Sequence, residues 1–337
     1  MSSDLFSKVQ YGLENPASHG TAVAATNIWT GKSMGVKSDT TPEYPVENFG
    51  VRAESRRATV QQKQYSDTLV SEHAIFQQMW FPLLCALKGA VTPTEVTGGQ
   101  GDYKGTFTPS LTAANSPDSA TIEIIDDVQA YEVEYCMFSR LHWSATINQG
   151  NAPSPVNFEG DFFGRQISAV TATGSLSLPT PTGMNAKLSR LYMDTAWAGV
   201  GGTEIASLLR SWDLEIITGL HPNDTGSAND YFTHHSEGLI SAMLSFTIEH
   251  GSVAAAKYLL QRSQTLQVAR LDIVGPQIGS GTNHRLRFDV GGYLEEVNLR
   301  DSQDRNDNLS SFTLKSVYND TGAKLLQCEL TTNSATI

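Results

Sequence analysis

Residues able to do chemistry are few in this sequence and poorly spaced for it. Gly31-Lys32-Ser33-Met34-Gly35 has the G-x-S-x-G spacing of a nucleophile elbow, a sharp strand-to-helix turn that presents a serine hydroxyl. Pro42 and Pro45 follow too closely for a helix to start there, so the match reads as a loop. Gly31-Lys32-Ser33 also matches the end of a phosphate-binding loop, but Thr26 stands where that loop needs its first glycine. His221, His234, His235 and Glu237 lack the i,i+4 histidine spacing of a helical metal site, and adjacent histidines on a strand point to opposite faces. Cys85, Cys136 and Cys328 are isolated, odd in number and set in apolar stretches. They are expected to be buried reduced thiols, neither disulfides nor zinc ligands. No catalytic, metal or cofactor site is expected, and the protein is not expected to be an enzyme.

The carboxylates are more informative. Glu132 and Glu134, Glu159 and Asp161, and Asp213 and Glu215 each stand two apart in alternating segments, so each pair shares one strand face; Glu249 extends the series. A glycosidase sets two carboxyls on either side of a bond and usually draws them from different strands. Same-strand pairs describe an acidic sheet surface instead. The densest basic patch, Arg52, Arg56, Arg57 and Lys63, is interrupted by Glu54 and lacks interleaved aromatics.

The elements that must position these acids are strands. Trp143, Ala145 and Ile147 alternate with Ser144 and Thr146; Trp212, Leu214 and Ile216 with Asp213 and Glu215; Leu244, Phe246 and Ile248 with Ser245 and Thr247. Tyr131, Val133, Tyr135 and Met137 are expected on one face, opposite Glu132 and Glu134. Two segments have helical spacing, 71–88, with a kink expected at Pro82, and 252–264. Each is preceded and followed by strands, which is the shape of a duplication: a β unit over 1–170, a Ser/Thr/Pro-rich join at 171–182, and a second β unit over 183–337. A single large sandwich with two unrelated helices is the other arrangement. The fold class is mainly β, an antiparallel sandwich or barrel with one flanking helix per unit. The polar stretch 31–49 has no clear period and is expected to be an arm ordered on contact with a neighbour, with Gly31, Lys32, Met34, Val36, Tyr44 and Phe49 along it.

Composition sets bounds. The 337 residues are 39 % hydrophobic and 17 % charged, which suits a folded core. No window approaches the ~18 uncharged apolar residues of a membrane span, and the first residues do not resemble a signal peptide, so a soluble protein made in a cytoplasm is expected. The net charge of −12 argues against gripping nucleic acid by its phosphates, and is compatible with letting it slide past.

Tyr11-Gly12-Leu13-Glu14, then Gly20-Thr21-Ala22-Val23-Ala24-Ala25-Thr26, resembles the opening of major tail tube proteins of long-tailed bacteriophages. The apolar segment 76–87, the Gly/Thr-rich loop after it, and the strands carrying Tyr131 to Ile147 and Phe158-Glu159-Gly160 are similar in order to that family. The resemblance implies a structural protein of the virion tail, assembled in the host cytoplasm. Its inner sheets would join in rings, and the rings would stack around DNA and a tape-measure protein, with terminator and tip proteins at the ends. Two units per chain would give trimeric rings with pseudo-sixfold symmetry; one elaborated unit would give hexamers. Glu132, Glu134, Glu159, Asp161, Asp213 and Glu215 would line the bore, and the 31–49 arm would join stacked rings. A tail terminator or hub protein has the same domain. A carbohydrate- or receptor-binding sandwich is the alternative from another class, and a hydrolase using Ser33 or a carboxylate pair is a third.

Overall fold

In the computed structural model, which describes residues 7–32, 34–148, 150–178, 180–300 and 308–334, the alternating segments become strands because one side of each meets a shared core. The first half contributes β1 (Lys8–Leu13), β2 (Asn27–Trp29), β3 (Thr40–Glu43), β4 (Thr59–Lys63) and β5 (Tyr65–Ser71). A 3-10 turn, Phe76–Met79, then leads into α1 (Trp80–Leu84). After it come β6 (Thr94–Glu95), β7 (Tyr103–Phe107), β8 (Ala120–Ile125), β9 (Ala130–Thr146), β10 (Val156–Gly164) and β11 (Ile167–Val170). The second half contributes β12 (Ser189–Asp194), β13 (Leu209–Ile217), β14 (Leu220–Asn223), β15 (His234–Glu237) and β16 (Ser241–Glu249). Then come α2 (Ser252–Arg262), β17 (Gln267–Gln277), β18 (Asn283–Leu299), β19 (Leu309–Ser316) and β20 (Leu326–Thr332). The protein is mainly β and the ladders between these strands are antiparallel, as the alternation required.

Seven strands form one sheet in the order β5-β10-β9-β13-β16-β19-β18. β9 and β18 are both 17 residues long and leave this sheet at their N-terminal halves. There β9 pairs with β8 and β11, and β18 with β17 and β20. One hydrophobic core lies under the seven-strand sheet: Trp143 meets Phe288 at 4.7 Å between ring centroids, Trp29 packs on Phe158, and Phe81 stacks on Tyr11 and meets Phe138 edge-on. Gly160 admits the Phe138 ring, which a Cβ there would approach to 2.8 Å.

The pairing pattern of the first half recurs in the second. β1 on β8, β8 on β9, β9 on both β10 and β11, and β10 on β5 correspond to β12 on β17, β17 on β18, β18 on both β19 and β20, and β19 on β16. Each helix lies between the matching strands, and the hairpins β3–β4 and β14–β15 directly precede β5 and β16. Even the register repeats: Trp143 faces Phe158 as Val297 faces Phe312, and Gly160 faces Leu69 as Leu314 faces Leu244. The halves are nevertheless tied together, by β9 pairing with β13 and by β7 pairing with β20.

Several expectations are corrected. The helix over 71–88 shrinks to the 3-10 turn and α1, because 79–87 is buried on every side and its apolar spacing records enclosure, not an amphipathic stripe. Pro82 lies in the first turn of α1, where a missing N–H is harmless, so it makes no kink. The helix expected over 252–264 is α2. The 31–49 stretch is only partly irregular, since β3 pairs with β4 in a hairpin. Met34 is buried in the core and so is not an arm residue, whereas Gly31, Lys32, Val36, Tyr44 and Phe49 remain at least partly accessible. The join at 171–182 is laid along the first half, Thr173 bonding to Glu123 and Thr182 to Gln77.

Candidate functional site

The inner face of the seven-strand sheet carries Phe158, Leu141, Trp143, Trp212, Leu214, Leu244, Phe246, Phe312 and Leu314, all buried. Alternation then forces the intervening residues outward, and the ladders place them in rows across the strands. One row reads Glu159, His142, Glu215, Met243, Lys315, Tyr293; the next reads Asn157, Ser144, Asp213, Ser245, Thr313, Glu296. A third, Thr146, Ser211, Thr247, Ser311 and Asn298, carries no charge at all. The result is one polar surface running across both halves of the chain, charged along one margin and hydroxylated along the other.

Arg140 organises the charged margin. Its Nε donates to Glu215 Oε1 at 2.5 Å and its Nη1 to Asp161 Oδ2 at 3.2 Å, with Glu159 at 3.9 Å. His142 Nε2 bonds Asp213 Oδ2 at 2.7 Å, and Glu159 lies 3.6 Å from Nδ1. The Asp213 bond raises the His142 pKa above its ordinary value, against the opposing pull of burial and of Arg140. In the two charged rows and the Arg140 row beside them, Glu159, Asp161, Asp213, Glu215 and Glu296 outnumber Arg140 and Lys315, so the face stays net negative when His142 is neutral.

Four of the six acids expected to act together therefore share this face: Glu159, Asp161, Asp213 and Glu215. Glu132 and Glu134 do not. They lie on the N-terminal half of β9, beyond a bulge at Tyr135, which has φ +59°, and a second irregularity between Phe138 and Arg140. The Tyr135 N–H donates to Glu14 Oε1 at 2.8 Å, which holds the bulge. The bulge also sends Tyr135 and Met137 into a small separate cluster with Phe232, while Val133 stays in the main core. Glu132 stands across from Glu123 and Ser168, and Glu134 lies 3.9 Å from Arg165. Burial raises the pKa of both, and the carboxylate of Glu123 adds to this at Glu132. Sequence reasoning missed Arg140 as an organiser, although its place two residues before His142 on an alternating strand was a visible signal.

The residues set aside in the sequence as sites lie as follows. Ser33 lies outside the described residues. Glu237 accepts from the Asn115 and Ser116 backbones, and His235 bonds the Tyr135 hydroxyl at 3.2 Å. Among the described residues no group of three or more His, Cys, Asp or Glu is arranged to hold a metal. The three cysteines are buried and unpaired, and burial raises their pKa values. Trp143 and Trp212 are buried in the core, and Trp197 is covered by Lys324 at 4.8 Å, so these three form no exposed aromatic platform. No described helix is long and apolar enough to cross a membrane.

No protein-family model matches the chain, and no curated protein matches it.

Proposed function

We propose that this protein is a structural subunit of a bacteriophage tail tube, whose polar sheet face lines the channel that DNA crosses during ejection. The observation that carries this reading is the seven-strand sheet. Its apolar side is packed, its polar side is broad and net acidic, and among the described residues its terminal strands β5 and β18 (over 293–299) each have a regular strand partner on one edge only. Such edges invite pairing with another chain, and a closed ring removes them. DNA presents about one negative charge per 1.7 Å, so an acidic wall lets it pass where a basic wall would hold it. The repeated pairing pattern supports a reading of two tube-like units per chain, in which three chains would close a pseudo-sixfold ring. A head-to-tail contact repeated along the axis stacks rings into a tube, with tape-measure protein and then DNA in the bore and terminator and tip proteins at its ends. The exposed hairpin β3–β4, with Tyr44 and Val46, is the contact offered to the next ring.

Electron microscopy of the purified chain and of the virion tests this reading. Stacked rings with three-chain symmetry are expected. Particles carrying Glu159→Lys, Asp161→Lys, Asp213→Lys and Glu215→Lys should assemble tails but eject DNA slowly or stall. Ejection at the unmodified rate would remove the acidic face from the channel.

A further inference from the structure

We infer that residues 30–32 and 34–38 are the missing counterpart of β13, and that they pair with the open edge of β18, residues 293–299, in a second copy of this chain. The inference deepens the tube reading and rests on it for the closed ring, but the contact is argued from the internal repeat alone.

In the repeat, every strand of the seven-strand sheet has a partner in the other half except one. β16, β19 and the C-terminal half of β18 match β5, β10 and the C-terminal half of β9. β13 pairs β16 on one side and β9 on the other, and so joins the second half to the first. Among the described residues no regular strand occupies its place beside β5. What lies there is the segment just before the β3–β4 hairpin, as β13 lies just before the β14–β15 hairpin.

That segment already runs along β5. The Lys32 N–H donates to the Val70 carbonyl at 3.1 Å, the Tyr65 hydroxyl donates to the Gly35 carbonyl at 3.2 Å, and Lys37 pairs with Asp67. The Gln64 N–H, just before β5, donates to the Asp39 carbonyl at 2.8 Å, so between the backbone bonds at Lys32–Val70 and Asp39–Gln64 the numbers on the β5 side fall as those of the segment rise, the antiparallel sense in which β13 meets β16. At Lys32 the register corresponds, since Lys32 sits against Val70, whose counterpart on β16 is Ser245, the residue opposite Asp213; beyond it the segment departs from β13's alternation, because Met34 turns into the core where Glu215 faces outward. Half of a junction is thus built inside one chain, and its other half is a β18 edge.

The β18 edge is open where the match requires it. β20 covers β18 only from Arg285 to Val290, leaving 293–299 paired with β19 alone among the described residues. Asn298 takes the place of Ser144 and Tyr293 that of Arg140, so copying the β9–β13 register sets Asn298 opposite Lys32 and Tyr293 near Val36. Val36 and Tyr293 are 45 % and 37 % exposed, two apolar side chains that would cover each other. Within one chain the two edges lie at opposite ends of seven strands, roughly 29 Å apart at ~4.8 Å per step. A disulfide needs Cα atoms within about 7 Å, so only two copies can be bridged.

The test is disulfide trapping in the full-length chain. The Lys32→Cys/Asn298→Cys double variant, oxidised under assembly conditions, is expected to give a ladder of covalent dimers and higher species on a non-reducing gel. The mismatched Lys32→Cys/Tyr293→Cys pair should give at least about tenfold less. The native thiols are buried and should stay silent. A second variant, Val36→Pro, removes a backbone donor outside any regular strand; it should keep its circular dichroism spectrum and lose self-association. Rings without the ladder, equal trapping by the mismatched pair, or undiminished association of Val36→Pro would each overturn the inference. A register-specific ladder from chains that form no ring or tube would uphold the contact and discard the tube.

Discussion

The two carboxylate groups on β9 and its neighbours look alike in sequence and behave differently in space. Around the N-terminal half of β9, Glu14 and Glu123 are buried and saturated. Glu14 accepts from the Gly20 N–H at 2.6 Å, the Tyr135 N–H at 2.8 Å, and the hydroxyls of Ser119 and Thr121. Glu123 accepts from Gln10 and from both the backbone and hydroxyl of Thr173. These acids fasten the loops after β1 and β11 to the sheet. On the C-terminal half the acids stand on an open face and pair with Arg140 and His142. Alternation locates a carboxylate on a strand face; whether that face is roofed by another segment decides whether the charge holds the fold or meets a partner.

Removing a roofed acid should cost most. Glu14→Ala leaves several buried donors without an acceptor and is expected to destabilise the chain by about 3–5 kcal/mol, read as a shift in the urea midpoint. Equal destabilisation by Asp213→Asn would erase the distinction. Gly160→Ala, beneath the open face, should cost about 1–3 kcal/mol by forcing Phe138 from its place, and a repacked Phe138 would be visible as changed near-ultraviolet dichroism.

Asp213→Asn should cost no more than about 1 kcal/mol, and with a defined pH dependence. His142 has a raised pKa in the folded state, so its bond to Asp213 stabilises fully below the ordinary histidine pKa of 6.5 and loses that contribution as pH rises through the higher folded value. The variant's deficit should therefore be greatest below pH 6.5 and shrink as pH rises above it; a deficit that does not change with pH would refute the assignment. The smallest effect has the opposite sign. Glu132 has its pKa raised by burial and by Glu123, so its ionised form opposes folding above that pKa. Glu132→Gln should be neutral at pH 4 and stabilising at pH 7, by no more than about 0.5 kcal/mol after solvent screening. Destabilisation at pH 7 would show that Glu132 has a favourable partner.

The strands bearing Val156, Trp212 and Leu244 were legible because each has one packed side and one open side, which is what alternation encodes. The inversion of roles along β9 was not, because the bulges at Tyr135 and near Ser139 insert residues that no hydrophobic pattern marks. The helix over 71–88 is overdrawn for a related reason, since enclosure on all sides fills the helical positions with apolar residues without requiring a helix. Of the open face, the acids could be read but their grouping could not. That grouping depends on β9 pairing with β13, a contact between residues about seventy positions apart whose register the alternation alone does not fix.

The β7–β20 ladder sets Phe107 opposite Cys328 and seats Trp80 by a bond from its indole to Thr332. A ribosome delivers the two sides of that ladder more than two hundred residues apart. A nascent first half thus leaves one edge of β7 open and the buried side chains of Phe107 and Trp80 without their cover until residue 332 has emerged, and it has to wait, collapsed or chaperoned, for its far end. Native structure should then appear late and in one step, and a chain stopped at residue 170 should aggregate instead of yielding a half-size domain.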